Sequence, residues 1–208
     1  MNQLLLLSSQ GFLADHSQVF HKPFKDLKMA YVTTASKGVS DLSYLDRARK
    51  LFREQGYQYE EMDIDGKTED ELRHTLKKFD VVFVTGGSTP YLIRSIRGTG
   101  FDKVIKELLP KGLIYMGASA GSYVACPSIE MSFWQHQDKY DHCGLTDLQG
   151  MNLVPFLVSV HYKPAYDPIL KAGIAKSDYP VRILKDDQAL LIQGEKVTLL
   201  GGQPEIRL

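Results

Sequence analysis

Apolar residues fall along this chain in short runs, and amphipathic stretches separate one run from the next. "QLLLLSS" (3–9) and "KMAYVTTAS" (28–36) have the near-continuous hydrophobicity of strands buried on both faces. "DLSYLDRARKLFREQG" (41–56) follows, with Leu42, Leu45, Ala48 (or Arg49) and Phe52 at helical spacing and Gly56 as a stop. "YQYEEMDI" (57–64) alternates as a strand does. "TEDELRHTLKKF" (68–79) opens with Thr68 and Glu71 in the spacing of a capping box, which marks a helix start. "DVVFVTGG" (80–87) reads as a buried strand ending in glycines. "STPYLIRSI" (88–96) reads as a helix with Pro90 in its first turn, another helix lies near 101–109, and "GLIYMGAS" (112–119) is again a strand.

This alternation predicts an α/β fold with a mostly parallel sheet and helices on both faces. The last third changes character. "NLVPFLVSVHY" (152–162), "VRILK" (181–185), "ALLIQG" (189–194) and "KVTLLGG" (196–202) are closely spaced strands, partly joined by hairpin-like turns such as Gln193-Gly194-Glu195. No internal repeat, low-complexity tract or linker interrupts the pattern. A single domain over residues 1–208 is the expectation.

In an open α/β sheet, ligands sit beyond the carboxyl ends of the strands. Two such ends stand out, Thr85-Gly86-Gly87 and Gly117-Ala118-Ser119. The second opens "GASAG" (117–121), a Gly-x-Ser-x-Gly pattern that chance alone produces in roughly one chain in fifteen of this length. Its setting, an apolar run before and a short helical candidate after, is the one a nucleophile elbow needs. Small residues on either side let the backbone turn sharply and push the serine hydroxyl into the cleft. The amide of Ala120 then faces the space where an oxyanion would form, and the Gly86–Gly87 turn can supply a second N–H. The competing reading is a tight turn whose Ser119 hydroxyl caps the following helix. Neither GxxxxGK[ST] nor GxGxxG occurs, so nucleotide binding lacks support.

A nucleophilic serine needs a base. Of the six histidines, His16, His21 and His74 precede the elbow in surface-like contexts, and His136 and His142 lie in the polar stretch "WQHQDKYDHCGLTD". His161 ends the apolar run "LVPFLVSV", where a strand terminus would deliver it. For a group to orient the imidazole, spacing leaves Glu130, Asp138, Asp141, Asp147, Asp186 and Asp187 open. The ligand-type residues between 134 and 147 match no zinc or calcium spacing, so a flexible flap over the cleft is expected there and no metal; Trp134 and Tyr140 are placed to pack it down. Cys126 reads as a small buried apolar residue.

Composition narrows the partners. Lys plus Arg equals Asp plus Glu at 25 each, which argues against binding nucleic acid or a membrane surface by bulk charge. Cys126 and Cys143 have no framework spacing; they allow one disulfide and better suit two free thiols in a reducing cytosol. "MNQLLLLS" has too short an apolar run for a signal peptide or a span, so a cytoplasmic address is expected. No cofactor is called for. A homodimer is compatible with the sequence and not derivable from it.

Three blocks, "VVFVTGGSTPYL" (81–92), "GASAGSYVACPSI" (117–129) and "NLVPFLVSVHY" (152–162), resemble the peptidase E (aspartyl dipeptidase) and cyanophycinase family of serine peptidases. They occur in family order at compatible distances. The resemblance implies the class I glutamine-amidotransferase-like fold, a flavodoxin-like three-layer sandwich, here with a C-terminal hairpin-like extension. It implies Ser119 as nucleophile, His161 as general base, and Gly87 and Ala120 as oxyanion donors. In peptidase E the acid is an aspartate 15 residues after the serine, and here Trp134 stands at that position. Cyanophycinase-like members take a glutamate from beyond the histidine, and "LKDDQAL" offers Asp186, with Asp187 next. The implied activity is hydrolysis of short peptides or modified peptide bonds through an acyl-enzyme. Lys163, Arg94, Arg97 and Arg182 are unranked candidates to meet an acidic substrate. Serine at the elbow argues against a glutaminase, and the absence of an HGGG loop against an α/β-hydrolase esterase. The alternative of another class is a non-catalytic small-molecule-binding or regulatory domain that keeps the elbow.

Overall fold

The computed structural model of the chain describes residues 2–13, 19–20, 22–134, 145–201 and 204–208. Its frame is a seven-stranded sheet in the order β3-β2-β4-β5-β1-β8-β9. Strands β1 (Gln3–Leu7), β2 (Lys28–Val32), β3 (Gln58–Met62), β4 (Val81–Val84) and β5 (Ile114–Ala118) run parallel. β8 (Ala189–Gln193) lies antiparallel to β1, and the 194–195 turn folds β9 (Lys196–Leu200) back onto β8. This is the expected flavodoxin-like sandwich with its C-terminal hairpin.

The double burial read from the sequence has a simple geometric form. Leu4 and Leu6 join the core on one face of the sheet with Val82, Val84 and Tyr115. Leu5 and Leu7 point the other way and join Tyr31, Phe83 and Met116. Alternate side chains of one strand face opposite layers, so an apolar run is required wherever helices cover both sides. Helix α1 (Ser43–Glu54) covers one face through Leu45, Ala48 and Phe52. α2 (Glu69–Leu76), α3 (Thr89–Thr99), α4 (Phe101–Leu108) and α5 (Ala120–Ala125) cover the other. β3 is one of the two edge strands and is accordingly polar. Arg49 of α1 grips its Glu61 with two hydrogen bonds of 2.7 and 2.8 Å.

Local signals act as read. Thr68 accepts the Glu71 amide, and Glu71 reaches back to the Thr68 amide at 2.8 Å. Ser88 caps α3, whose second residue is Pro90. Leu42 departs from its expected place in the apolar stripe. Asp41 accepts the Ser43 amide at 2.9 Å, the helix begins at Ser43, and Leu42 is left exposed.

The stretch 152–162 is not one strand. The amides of Met151, Asn152 and Leu153 bond to carbonyls of Val124, Cys126 and Ala125 at the end of α5, and Pro155 has no N–H to offer a ladder. Only Leu157–Ser159 forms a strand, β6, which pairs in parallel with β7 (Val181–Ile183) as a separate two-stranded sheet. Two further helices follow: α6 (Met131–Trp134) packs against β6, and α7 (Asp167–Ile174) packs against α6. Most of the expected flap, residues 135–144 with His136, Asp138, Tyr140, Asp141, His142 and Cys143, lies outside the described residues, as do His16 and His21.

Backbones meet most closely around the Gly-x-Ser-x-Gly segment. A Cβ on Gly121 would stand 2.0 Å from the Val84 carbonyl oxygen, and one on Gly117 would stand 2.4 Å from that of Gly121. Gly121→Ala should therefore lower stability by about 1–3 kcal/mol or prevent folding. Gly98→Ala, in α3 with nothing within 4 Å of the new methyl, should raise stability by about 0.4–1 kcal/mol. Urea unfolding midpoints of the two variants check the contrast.

Candidate active site

The carboxyl ends of β1, β4 and β5 open onto one cleft of about 980 Å³, lined among others by Ser8, Tyr44, Arg47, Gly86, Gly87, Ser119 and His161. Ser119 bridges β5 and α5 with φ +52° and ψ −112°, a backbone region that side chains other than glycine's disfavour. Its amide donates to the Leu7 carbonyl at 3.2 Å, and its own carbonyl accepts the Ser122 and Tyr123 amides at 2.9 and 3.0 Å. The Ser122 hydroxyl, 2.8 Å from both the Leu7 and Gly117 carbonyl oxygens, braces the same turn. Gly86 lies close against the elbow, where a Cβ would stand 3.1 Å from that of Ser119.

The Ser119 hydroxyl makes no cap to α5. It lies 3.0 Å from Nε2 of His161, whose Nδ1 bonds to Oδ1 of Asp186. The helix-cap reading of Ser119 is thereby excluded. His161 follows β6 with φ +58°. Asp186 precedes β8, and because that strand runs antiparallel to β1, its start lies at the carboxyl end of the parallel strands. The His161 imidazole, foremost, holds the Asp186 carboxyl below the usual carboxylate range. The Ser8 hydroxyl and the Lys163 charge act in the same direction, and partial burial opposes them.

Gly87, with φ +136°, follows Gly86 at the end of β4 and sits against the turn at 34–38, where any Cβ would stand 2.4 Å from the Ala35 carbonyl oxygen. The Tyr44 hydroxyl donates to the Gly86 carbonyl at 3.1 Å. In a planar trans peptide the N–H opposes the C=O, so this bond orients the Gly87 amide away from Tyr44. Beneath the turn, Tyr31 donates to Gln10 Oε1 at 2.8 Å and Gln10 Nε2 donates to Thr85 Oγ1 at 2.6 Å. Burial pushes the Tyr31 phenol well above its ordinary value, so the network stays neutral. Among the described residues, neither the Gly87 nor the Ala120 amide is bonded to a backbone carbonyl.

The other candidate acids stand elsewhere. Asp187 is exposed, Asp147 pairs with Arg97 on the surface, and Glu130 accepts from Ser177 at 2.6 Å. Asp138 and Asp141 lie outside the described residues. Trp134 ends α6 with its indole over Gly173 of α7, where a Cβ would stand 2.4 Å from the ring. The four cations proposed for acidic substrates do not line the cleft. Arg182 pairs with Glu205, Arg97 donates to the carbonyls of Asp147 and Gln149, and Arg94 lies over the Tyr91 ring in a separate groove. Lys163 stays beside Asp186. Among the described residues, Arg47 is the Lys or Arg side chain that does line the cleft, and sequence reasoning missed it along with Ser8 and Tyr44. The available signal was positional: Ser8 ends β1 as Gly86 ends β4, and Tyr44 and Arg47 share the face of α1 that meets those ends. Among the described residues no group of three or more His, Cys, Asp or Glu is placed to hold a metal. No helix of the described residues is long and apolar enough to cross a membrane.

Residues 4–200 match the model of peptidase family S51. The chain belongs to that family. It is a serine-type peptidase, and its relatives are consistent with this. An uncharacterized peptidase of Pasteurella multocida is 28% identical over 97% of this chain and 98% of its own length. A Drosophila melanogaster protein assigned as an alpha-aspartyl dipeptidase is 28% identical over 96% of this chain and 86% of its own. The solved structure of a Listeria monocytogenes protein assigned to peptidase E superposes with a TM-score of 0.84 at 26% identity, covering 98% of this chain and 100% of that one. A peptidase structure from an acI-B1 actinobacterium, 16% identical with a TM-score of 0.69 over 100% of this chain and 94% of its own, shares the fold.

Cys126 takes no part in this site. It is buried behind α5, 3.4 Å from the Ser122 carbonyl, and burial pushes its thiol up to about 12. Iodoacetamide at pH 8 should leave Cys126 unmodified in the folded protein and alkylate it after unfolding in urea, as peptide mapping by mass spectrometry would register.

Proposed function

We propose that this S51 peptidase hydrolyses short peptides through an acyl-enzyme on Ser119, with His161 as general base and Asp186 as the orienting acid. One observation carries the reading: the imidazole spans Ser119 Oγ, 3.0 Å from Nε2, and Asp186 Oδ1 at its other nitrogen. In this mechanism His161 takes the hydroxyl proton as Oγ attacks the scissile carbonyl, then returns it to the leaving amine. Water enters, is deprotonated by the same imidazole, and releases the acyl group. The Gly87 and Ala120 amides donate to the tetrahedral oxygen, with Tyr44 holding the Gly86–Gly87 peptide for the purpose. Asp186, anionic at neutral pH, keeps the proton on Nδ1 and favours the imidazolium that forms.

The cleft volume suits a small ligand rather than a folded protein. Among the described residues, Asp41 and Arg47 are its acidic and basic lining side chains besides His161; Arg47 donates to the Ser43 hydroxyl at 2.9 Å and lies within charge range of Asp41. A substrate carboxylate would find its counter-charge at Arg47, in line with the aspartyl assignment of the Drosophila relative. Residues 1–208 act as one domain in this reading, supported by the pairing of β1 with β8 from opposite ends of the chain. A reducing cytoplasmic setting suits the buried thiol of Cys126.

Ser119→Ala should abolish peptide hydrolysis and fluorophosphonate labelling at unchanged melting temperature. Labelling that persists at another residue would reject the assignment. Asp186→Asn should lower kcat by about 10²–10⁴-fold, whereas Asp187→Asn should leave it within twofold. Arg47→Ala should reduce kcat/KM for dipeptides with an acidic side chain by about tenfold more than for neutral ones, a difference of about 1.4 kcal/mol. Equal losses on both substrate classes would remove Arg47 from substrate selection.

A further inference from the structure

Ser8 is fully buried at the carboxyl end of β1. Its hydroxyl accepts the backbone N–H of His161 at 2.8 Å and donates to Asp186 Oδ1 at 3.1 Å, the same oxygen that takes His161 Nδ1. A hydroxyl has one proton and two lone pairs, so both bonds form at once. The His161 amide is otherwise out of register with β6. The pairing beside β7 resumes one residue later, where Tyr162 N–H meets the Leu184 carbonyl at 3.0 Å, while His161 itself turns to φ +58°. The neighbouring residue of β1, Leu7, holds the Ser119 amide through its carbonyl. The last residue of one central strand and the residue that follows it therefore grip the backbone of the elbow, the backbone of the imidazole and the carboxylate.

We propose that Ser8 is a positioning residue for the reaction. It sets the height of the His161 ring above Ser119 through the amide, and it fixes which Asp186 oxygen faces Nδ1. This inference rests on the reading of Ser119, His161 and Asp186 as the catalytic set. Asp186 needs such a fixture because its side chain is 62% exposed and the surrounding water offers its carboxylate many competing orientations. A buried hydroxyl, itself anchored by the sheet through the Ser8 amide on the Gln188 carbonyl at 3.2 Å, removes that freedom.

The test compares wild type with Ser8→Ala, which removes one oxygen and adds no bulk, and with Ser8→Thr, which keeps the hydroxyl. Steady-state kinetics on a dipeptide substrate are read alongside the ¹⁵N shifts of histidine-labelled protein, with the His161 signals identified by their loss in His161→Gln. Ser8→Ala should lower kcat at least tenfold with KM within twofold, and should move the His161 nitrogens from the Nδ1–H tautomer toward a mixture. Ser8→Thr, where its methyl is accommodated, should restore both. A kcat for Ser8→Ala within twofold of wild type overturns the proposal. So does a loss of kcat with unmoved ¹⁵N shifts, which would mark a merely structural role. Failure of the underlying mechanism looks different: hydrolysis would then survive Ser119→Ala, whatever Ser8→Ala does.

Discussion

The site depends on how closely α5 lies against the sheet. Gly121 rests on the Val84 carbonyl and Gly117 on Gly121, with no room for a methyl group at either contact. At that separation the chain between β5 and α5 has a single residue in which to reverse, and Ser119 takes φ +52° to do so. Such a conformation costs about 1–3 kcal/mol and survives only when its surroundings over-determine it. Here a bond from the Ser119 amide, two bonds to its carbonyl and the Ser122 brace supply that constraint. The hydroxyl is left as the free end of a rigid turn, aimed at an imidazole.

The layers of the fold were legible because burial on both faces leaves an unambiguous mark. A strand such as Leu4–Leu7 has nowhere to place a polar residue, and the capping box at Thr68 and Glu71 marks its helix start directly. Legibility fell where one residue decides the outcome. Asp186 and Asp187 are adjacent and chemically identical, and only the approach of β8 along β1 turns the first toward His161. Leu42 satisfied the helical period but preceded the true start. The stretch 152–162 had a strand's composition, yet its first half satisfies the carbonyls at the end of α5 instead. Ser8, Tyr44 and Arg47 carried no motif, since their roles arise from elements distant in sequence that share one end of the sheet.

Trp134 is a packing residue in this frame. Stacked over Gly173, it joins α6 to α7 and contributes to packing. The carboxylate that bonds to the His161 imidazole comes from the loop before β8, is exposed, and has Lys163 nearby. An exposed carboxylate avoids most of the desolvation penalty of a buried ion and is correspondingly weaker as a source of field. Its value then lies in geometry more than in charge, and geometry is what a neighbouring hydroxyl can supply.

The pairing of β1 with β8 also bears on when the molecule becomes reactive. The contacts that join Ser8 to His161 and to Asp186 close loops of 153 and 178 residues, so nearly the whole polypeptide must be in place before the machinery exists. Loop closure over such lengths comes late, after local helices and neighbouring strands have formed. In order of synthesis the Ser119 turn comes well before the Asp186 that bonds to His161. The arrangement around His161 is thus tied to closure of the whole sheet and to no local segment of it.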